Sequence, residues 1–157
     1  MRRPTGAGSL GPRTLWRREM MFSDWSRIAV RSRTLGARGE AAAARYLRRR
    51  GLRIVARRQR SRYGEVDIIA VEGRVVVFVE VKTRRAESHG RPADAVDGLR
   101  RDRLTRAALA FLKAHRLLEY PSRFDIVEIV WPRNDRRPKI VWRRNAFPAQ
   151  GHGQFFR

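Results

Sequence analysis

"GEVDIIAVEGRVVVFVEVKT", residues 64–83, decides how this chain is read. Two apolar runs flank Glu72-Gly73, a turn signal, so the stretch predicts a β-hairpin. Yet it carries Glu65, Asp67, Glu80 and Lys82 at alternating positions of the most hydrophobic segment in the chain. Side chains two apart on a strand share a face. A two-residue loop at Glu72-Gly73 sets Asp67 diagonal to Glu80, and a four-residue loop sets them directly opposite. In both registers all four polar groups fall on one face; a three-residue loop splits them, because a one-residue slip flips every side chain. The other face of the second strand is Val75, Val77, Val79 and Val81, a β-branched stripe suited to burial. The polar face also holds Val76 and Phe78, and carboxylates in such surroundings are costly unless paired or bound to metal.

Outward from the hairpin, "GARGEAAAARYLRRR" (36–50) predicts a helix, with an alanine run for propensity and Gly51 as its stop. Ala43, Ala44 and Leu47 lie three, four and seven residues beyond Glu40, so Glu40 sits on the apolar stripe and needs a partner. "LRIVAR" from 52 predicts a short strand, 99–115 a second helix with Leu104, Ala107, Ala108, Phe111 and Leu112 inward, and "FDIVEIVW" (124–131) and "KIVWR" (139–143) two further strands. The expected fold class is α/β, a mixed sheet flanked by helices in the order α-β-β-β-α-β-β. No internal repeat interrupts it. Residues 1–33 read as a basic, disordered extension with alternative starts at Met20 and Met21, residues 34–147 as one domain, and 148–157 as an irregular tail.

The chain of 157 residues carries 37 basic and 15 acidic side chains, a net charge of +22. Such a surplus points to a polyanionic partner, nucleic acid first. A membrane-surface role is disfavoured, because "RYLRRRGLRIVARRQR" lacks a large aromatic face, and no apolar run approaches the roughly 18–20 residues of a membrane span. The absence of cysteine excludes disulfides and thiolate metal sites and fits a cytoplasmic location. Lys82, Lys113 and Lys139 are the only lysines among many arginines. A lysine retained against that bias is informative, since a compact ammonium does what a guanidinium cannot.

Two converging carboxylates with no histidine cluster suggest a hard cation, Mg²⁺ or Mn²⁺. A lysine beside it can position a water or neutralise charge developing on a phosphoryl oxygen. Taken alone, Glu-x-Lys on a strand is commonly a solvated face. Here an acid on a helix stripe, an acid in the preceding strand and Glu80-Val81-Lys82 after a valine run occur together.

Gly64-Glu65-Val66-Asp67-Ile68-Ile69-Ala70 and Val79-Glu80-Val81-Lys82-Thr83-Arg84, with "GARGEAAAARYL", "RFDIVEI" (123–129) and "RRNAF", resemble the core of the YraN-like bacterial proteins. That family belongs to the PD-(D/E)XK nuclease-like superfamily and is similar to archaeal Holliday junction resolvases. The resemblance runs from about Gly36 to Phe147 and implies a restriction-endonuclease-like core. It implies that Asp67 and Glu80 ligate the metal, that Lys82 orients the attacking water, and that Glu40 reaches in from the first helix. Glu65 and Asp125 also match family positions; Glu65 is read as supporting the ligands from behind, and Asp125 as structural at a strand start. Arg58 stands where an Asn is expected, and Arg100 where a Lys is expected. The implied activity is metal-dependent cleavage of DNA, branched or otherwise structured, by a homodimer. The alternative is a non-catalytic nucleic-acid-binding module on the same fold.

Overall fold

A computed structural model describes residues 34–86, 98–134 and 136–151. The expected extension at 1–33 and the end of the tail lie outside them. Helix α1 (Leu35–Arg49) is followed by β1 (Arg53–Ser61), β2 (Gly64–Glu72) and β3 (Val75–Arg85), then helix α2 (Gly98–Ala114), β4 (Ser122–Trp131) and β5 (Lys139–Phe147). The order matches the sequence expectation. The five strands form one sheet in chain order, antiparallel except for the parallel β3–β4 pair, whose long connection carries α2.

Local chemistry sets the ends of α1. Thr34 caps its start, the hydroxyl accepting from Ala37 N at 3.4 Å. At the other end Gly51 takes a left-handed φ of +90°. The amides of Gly51 and Leu52 then fold back on the carbonyls of Arg48 and Leu47, the paired bonds of a Schellman ending.

Both faces of the central strand are buried. Val77 and Val79 pack with Ile68, Ala70, Val127 and Ile129 under Ala43 and Leu47 of α1. On the opposite face Phe78 meets Phe111 of α2 edge-on at 6.1 Å and Phe124 at 5.7 Å. This three-layer arrangement explains why the strand is apolar at successive positions instead of at every second one.

The hairpin turn is Gly73-Arg74, one residue later than the sequence suggests. Glu72 pairs with Val75, and Gly73 takes φ +59°. The ladder register, Ile68 opposite Val79, is the one expected of a four-residue loop and aligns Asp67 with Glu80. β1 and β5 are longer than expected. β1 runs on through the Arg57-Arg58-Gln59-Arg60 stretch, whose composition gives no apolar alternation to mark it.

Candidate functional site

The β2–β3 ladder stops at Ile68 and Val79. Beyond that rung β2 stays with β1 as far as Gly64, while β3 stays with β4 as far as Arg85. The sheet therefore forks, and Asp67 and Glu80 flank the opening. The amide of Val81, left without a rung, donates to Asp67 Oδ2 at 2.7 Å. A side chain here replaces a backbone carbonyl and fixes Asp67 at the fork. Glu80 is buried, with 2 % of its side chain exposed, and Lys82 Nζ lies 3.0 Å from its Oε1. By strand alternation Asp67, Glu80 and Lys82 share the face covered by α2.

Glu40 arrives differently. Its helix packs on the other face, with Ala43 and Leu47 over Val77 and Val79, so Glu40 approaches the fork from the side opposite Asp67, Glu80 and Lys82. Gly39 is why the helix comes so close: a Cβ there would stand 1.8 Å from Thr83 Oγ1, so only glycine permits the approach to the end of β3. Glu40's negative charge nonetheless acts on Asp67, across the opening of the fork. Arg58 Nε stands 3.7 Å from Glu40 Oε2 and 3.4 Å from Glu65 Oε1. Arg60 Nε holds the other oxygen of Glu65 at 2.7 Å, which keeps the Glu65 carboxyl below its usual range. Glu65 is thus tied to the arginines of β1 instead of facing Glu80.

The donor set fits a hard divalent cation. Glu80 Oε2 and Glu40 Oε2 are buried oxygens without a hydrogen-bond partner, and such atoms are expensive to leave unmatched. Among the described residues no three acidic or histidine side chains form a preassembled cage. Mg²⁺ does not require one: it binds through one or two carboxylates and keeps several waters. Asp67 and Glu80 are the two carboxylates that could hold it.

Sequence reasoning passes over Arg100 as a site residue. Its Nε donates to Glu80 Oε1 at 2.8 Å from the first turn of α2. The signal available in the sequence is its departure from the expected lysine. A groove of about 640 Å³ also lies between the β1–β2 turn and the outer face of α2, lined by Ser61, Arg62, Tyr63, Arg106 and Lys113 among others.

Residues 39–129 match the family model of the uncharacterised protein family UPF0102. A UPF0102 protein of Rhodopirellula baltica is 46% identical over 125 residues, 78% of this chain and 75% of that protein. Another, from Symbiobacterium thermophilum, is 46% identical over 118 residues, 75% of this chain and 99% of its own. A third, from Alkaliphilus metalliredigens, is 39% identical over 116 residues, 74% and 99%. The chain belongs to the UPF0102 family. The family match runs from α1 to β4 and includes the fork with all the acids around it. These three relatives carry a family name and no reaction, so the reading of this chain's site rests on its own geometry.

That geometry would make any metal binding at the fork sensitive to pH. Burial, then the charge of Glu80, and more weakly that of Glu40, push the Asp67 carboxyl up to about 7, against the opposing Val81 N–H. A raised carboxyl favours the folded state most below its unfolded value near 4, and that stabilisation is lost as pH rises through about 7. A cation that needs the carboxylate must displace this proton. Mn²⁺ affinity is expected to fall about tenfold per pH unit below 7, with close to one proton released per ion at pH 6. Calorimetry in buffers of different ionisation heat measures both quantities. An affinity that is level between pH 6 and 8 rejects Asp67 as a ligand.

Proposed function

We propose that this protein is a metal-dependent phosphodiesterase acting on DNA, with branched or otherwise structured DNA as its substrate, in the cytoplasm. The observation that carries the reading is Glu80 at the fork. One oxygen lies beside Lys82, and the other is buried and unmatched, opposite an Asp67 fixed by the Val81 amide. Asp67 and Glu80 would hold Mg²⁺ or Mn²⁺. When bound, the ion supplies charge at the phosphoryl oxygens and a more acidic water. Lys82 presents an ammonium where charge develops on the phosphate. Glu40, half-buried, with its Oε2 lacking a hydrogen bond and 3.7 Å from Arg58 Nε, raises the negative potential that attracts the cation. No helix among the described residues is long and apolar enough to cross a membrane.

The second reading is a nucleic-acid-binding module without catalysis. It is favoured by the arginines already paired with the acids and by the lack of a preassembled three-ligand cage among the described residues. A cleavage assay on duplex, forked and four-way junction DNA with Mg²⁺, Mn²⁺ or EDTA separates the two. Metal-dependent cleavage of any of the three substrates sustains the first; binding without cleavage sustains the second.

Both readings require binding through phosphates, and the groove beside α2 supplies a basic surface for it. Arg62, Arg106 and Lys113 are exposed at its edges, and the Arg62 guanidinium stacks 4.8 Å from the Tyr63 ring. Changing these three to Gln is expected to flatten the fall of log K with log salt by roughly 0.9 for each phosphate that these side chains neutralise. The equal-charge control, Arg136 and Arg137 of the β4–β5 loop and Lys139 at the start of β5 changed to Gln, leaves the slope near the parent value. A titration in EDTA compares them. Equal slopes for the two triple variants would mean that charge alone, not the groove, governs binding.

A further inference from the structure

Helix α2 begins with the wrong charge. Its first turn has no acidic residue and contains Arg100 and Arg101. The N-terminal end of a helix is already positive, so cations there are disfavoured unless an anion faces them. The anion is Glu80. Arg100 Nε and Nη2 both lie on Glu80 Oε1, at 2.8 and 2.5 Å, and Lys82 Nζ lies 3.0 Å from the same atom. A guanidinium and a carboxylate usually meet as two forks, one nitrogen to each oxygen. Here both nitrogens crowd one oxygen and its twin Oε2 has no hydrogen-bond partner. The two partners also differ in setting: the Glu80 side chain is 2 % exposed and that of Arg100 is 47 % exposed. A buried acid is held by a long arm reaching in from solvent.

We propose that Arg100 is a displaceable latch on Glu80, neutralising it before the cation arrives and moving onto a phosphate of the bound DNA once the cation has taken its place. This rests on the metal-dependent reading above. Among the described residues Glu80 is already matched by Lys82 and Arg100, and Glu40 by Arg58. A divalent cation adds two positive charges to that set and repels the bases. Lys82 is anchored on β3, two residues from Glu80. Arg100 hangs from a helix end and is the more exposed, so it is the one that leaves. Its guanidinium then stands at the mouth of the fork, at the positive end of α2, where an anion is doubly favoured. Metal and DNA would each strengthen the binding of the other, a coupling that must be reciprocal.

The test compares the full-length parent with Arg100→Gln and Arg100→Lys. Mn²⁺ affinity is measured without DNA by electron paramagnetic resonance. Duplex affinity is measured with and without Ca²⁺. Removing the latch is expected to tighten Mn²⁺ binding about five-fold or more and to shrink the gain in DNA affinity that Ca²⁺ gives the parent. Arg100→Lys, which keeps the charge but not the two-nitrogen grip, shifts both in the same direction by less, and it carries the test if the Gln variant does not fold. Mn²⁺ affinity that is equal or weaker in a folded variant overturns the latch and leaves the nuclease reading standing. No Mn²⁺ binding by parent or variants overturns both. A residue that merely supported the fold would not make the metal bind more tightly when removed.

Discussion

Lys82→Ala should lower metal-dependent DNA cleavage by on the order of 10²–10³, with DNA binding nearly unchanged. The two halves of that expectation have different causes. On the proposed function, affinity for DNA would be spread over a chain with 37 basic side chains, so one lost charge moves it little. Cleavage would depend on charge at one point, and Lys82 Nζ lies 3.0 Å from the buried Glu80. A donor fixed beforehand at that position stabilises developing charge without reorganising when the reaction occurs. Lys82→Arg should fail as well, because a planar guanidinium does not fit where a compact ammonium sits beside a buried carboxylate and a second arginine. Asp67→Asn should lose metal-dependent cleavage too, while binding DNA as well as the parent or better, since a negative charge near the phosphates is gone. Single-turnover assays against equilibrium binding separate the effects. If the parent cleaves and Lys82→Ala cleaves equally fast, the assignment of Lys82 is wrong even with the fold intact.

The element order is legible because apolar periodicity and turn chemistry are local. Gly51, the alanine run and the valine stripe of β3 each carry their own physics in a few residues. The fork is not legible. Apolar alternation continues through Val66 and Val81, past the last β2–β3 rung, and nothing in it marks where the ladder ends. The ladder ends where the side chain of Asp67 takes the Val81 amide, a contact between residues 14 apart. Glu40 shows the same limit. Its helical stripe says that it turns inward, but which face of the sheet the helix covers is a property of the connections. The strand at 53–61 reads short in the sequence because arginines fill it and a register shift between Ile54 and Ala56 breaks its alternation. Within it Arg58 holds φ +50°, a conformation that Asn adopts more readily than Arg. The Asn expected there by resemblance therefore has a backbone reason.

Asp125 is the acid whose removal should cost the most in stability. It is wholly buried, and every bond it makes is structural. It accepts from Arg123 Nε at 2.9 Å and Nη2 at 3.2 Å, from Trp142 Nε1 at 2.9 Å and from Asn145 N at 2.8 Å. It lies where the β4–β5 register shifts between Phe124 and Ile126, so its carboxylate joins two strands whose ladder is broken there. Asp125→Ala leaves the Trp142 and Asn145 N–H groups without their acceptor and Arg123 with Glu72 as its remaining acidic partner among these contacts. Breaking a buried ion pair from one side typically costs about 3–5 kcal/mol, a large share of the roughly 5–15 kcal/mol that holds a domain together. Asp125→Asn, which keeps the shape and one acceptor oxygen, should cost less. Urea unfolding followed by tryptophan fluorescence reads the change directly, since Trp142 is one of the reporters. The position also predicts what will not change. Asp125 aligns with Val79, on the face that α1 covers, away from the face shared by Asp67, Glu80 and Lys82. The folded fraction of either variant should keep the parent's Mn²⁺ and DNA affinities. A variant of normal stability that no longer cleaves would instead make Asp125 part of the chemistry, against every contact it makes.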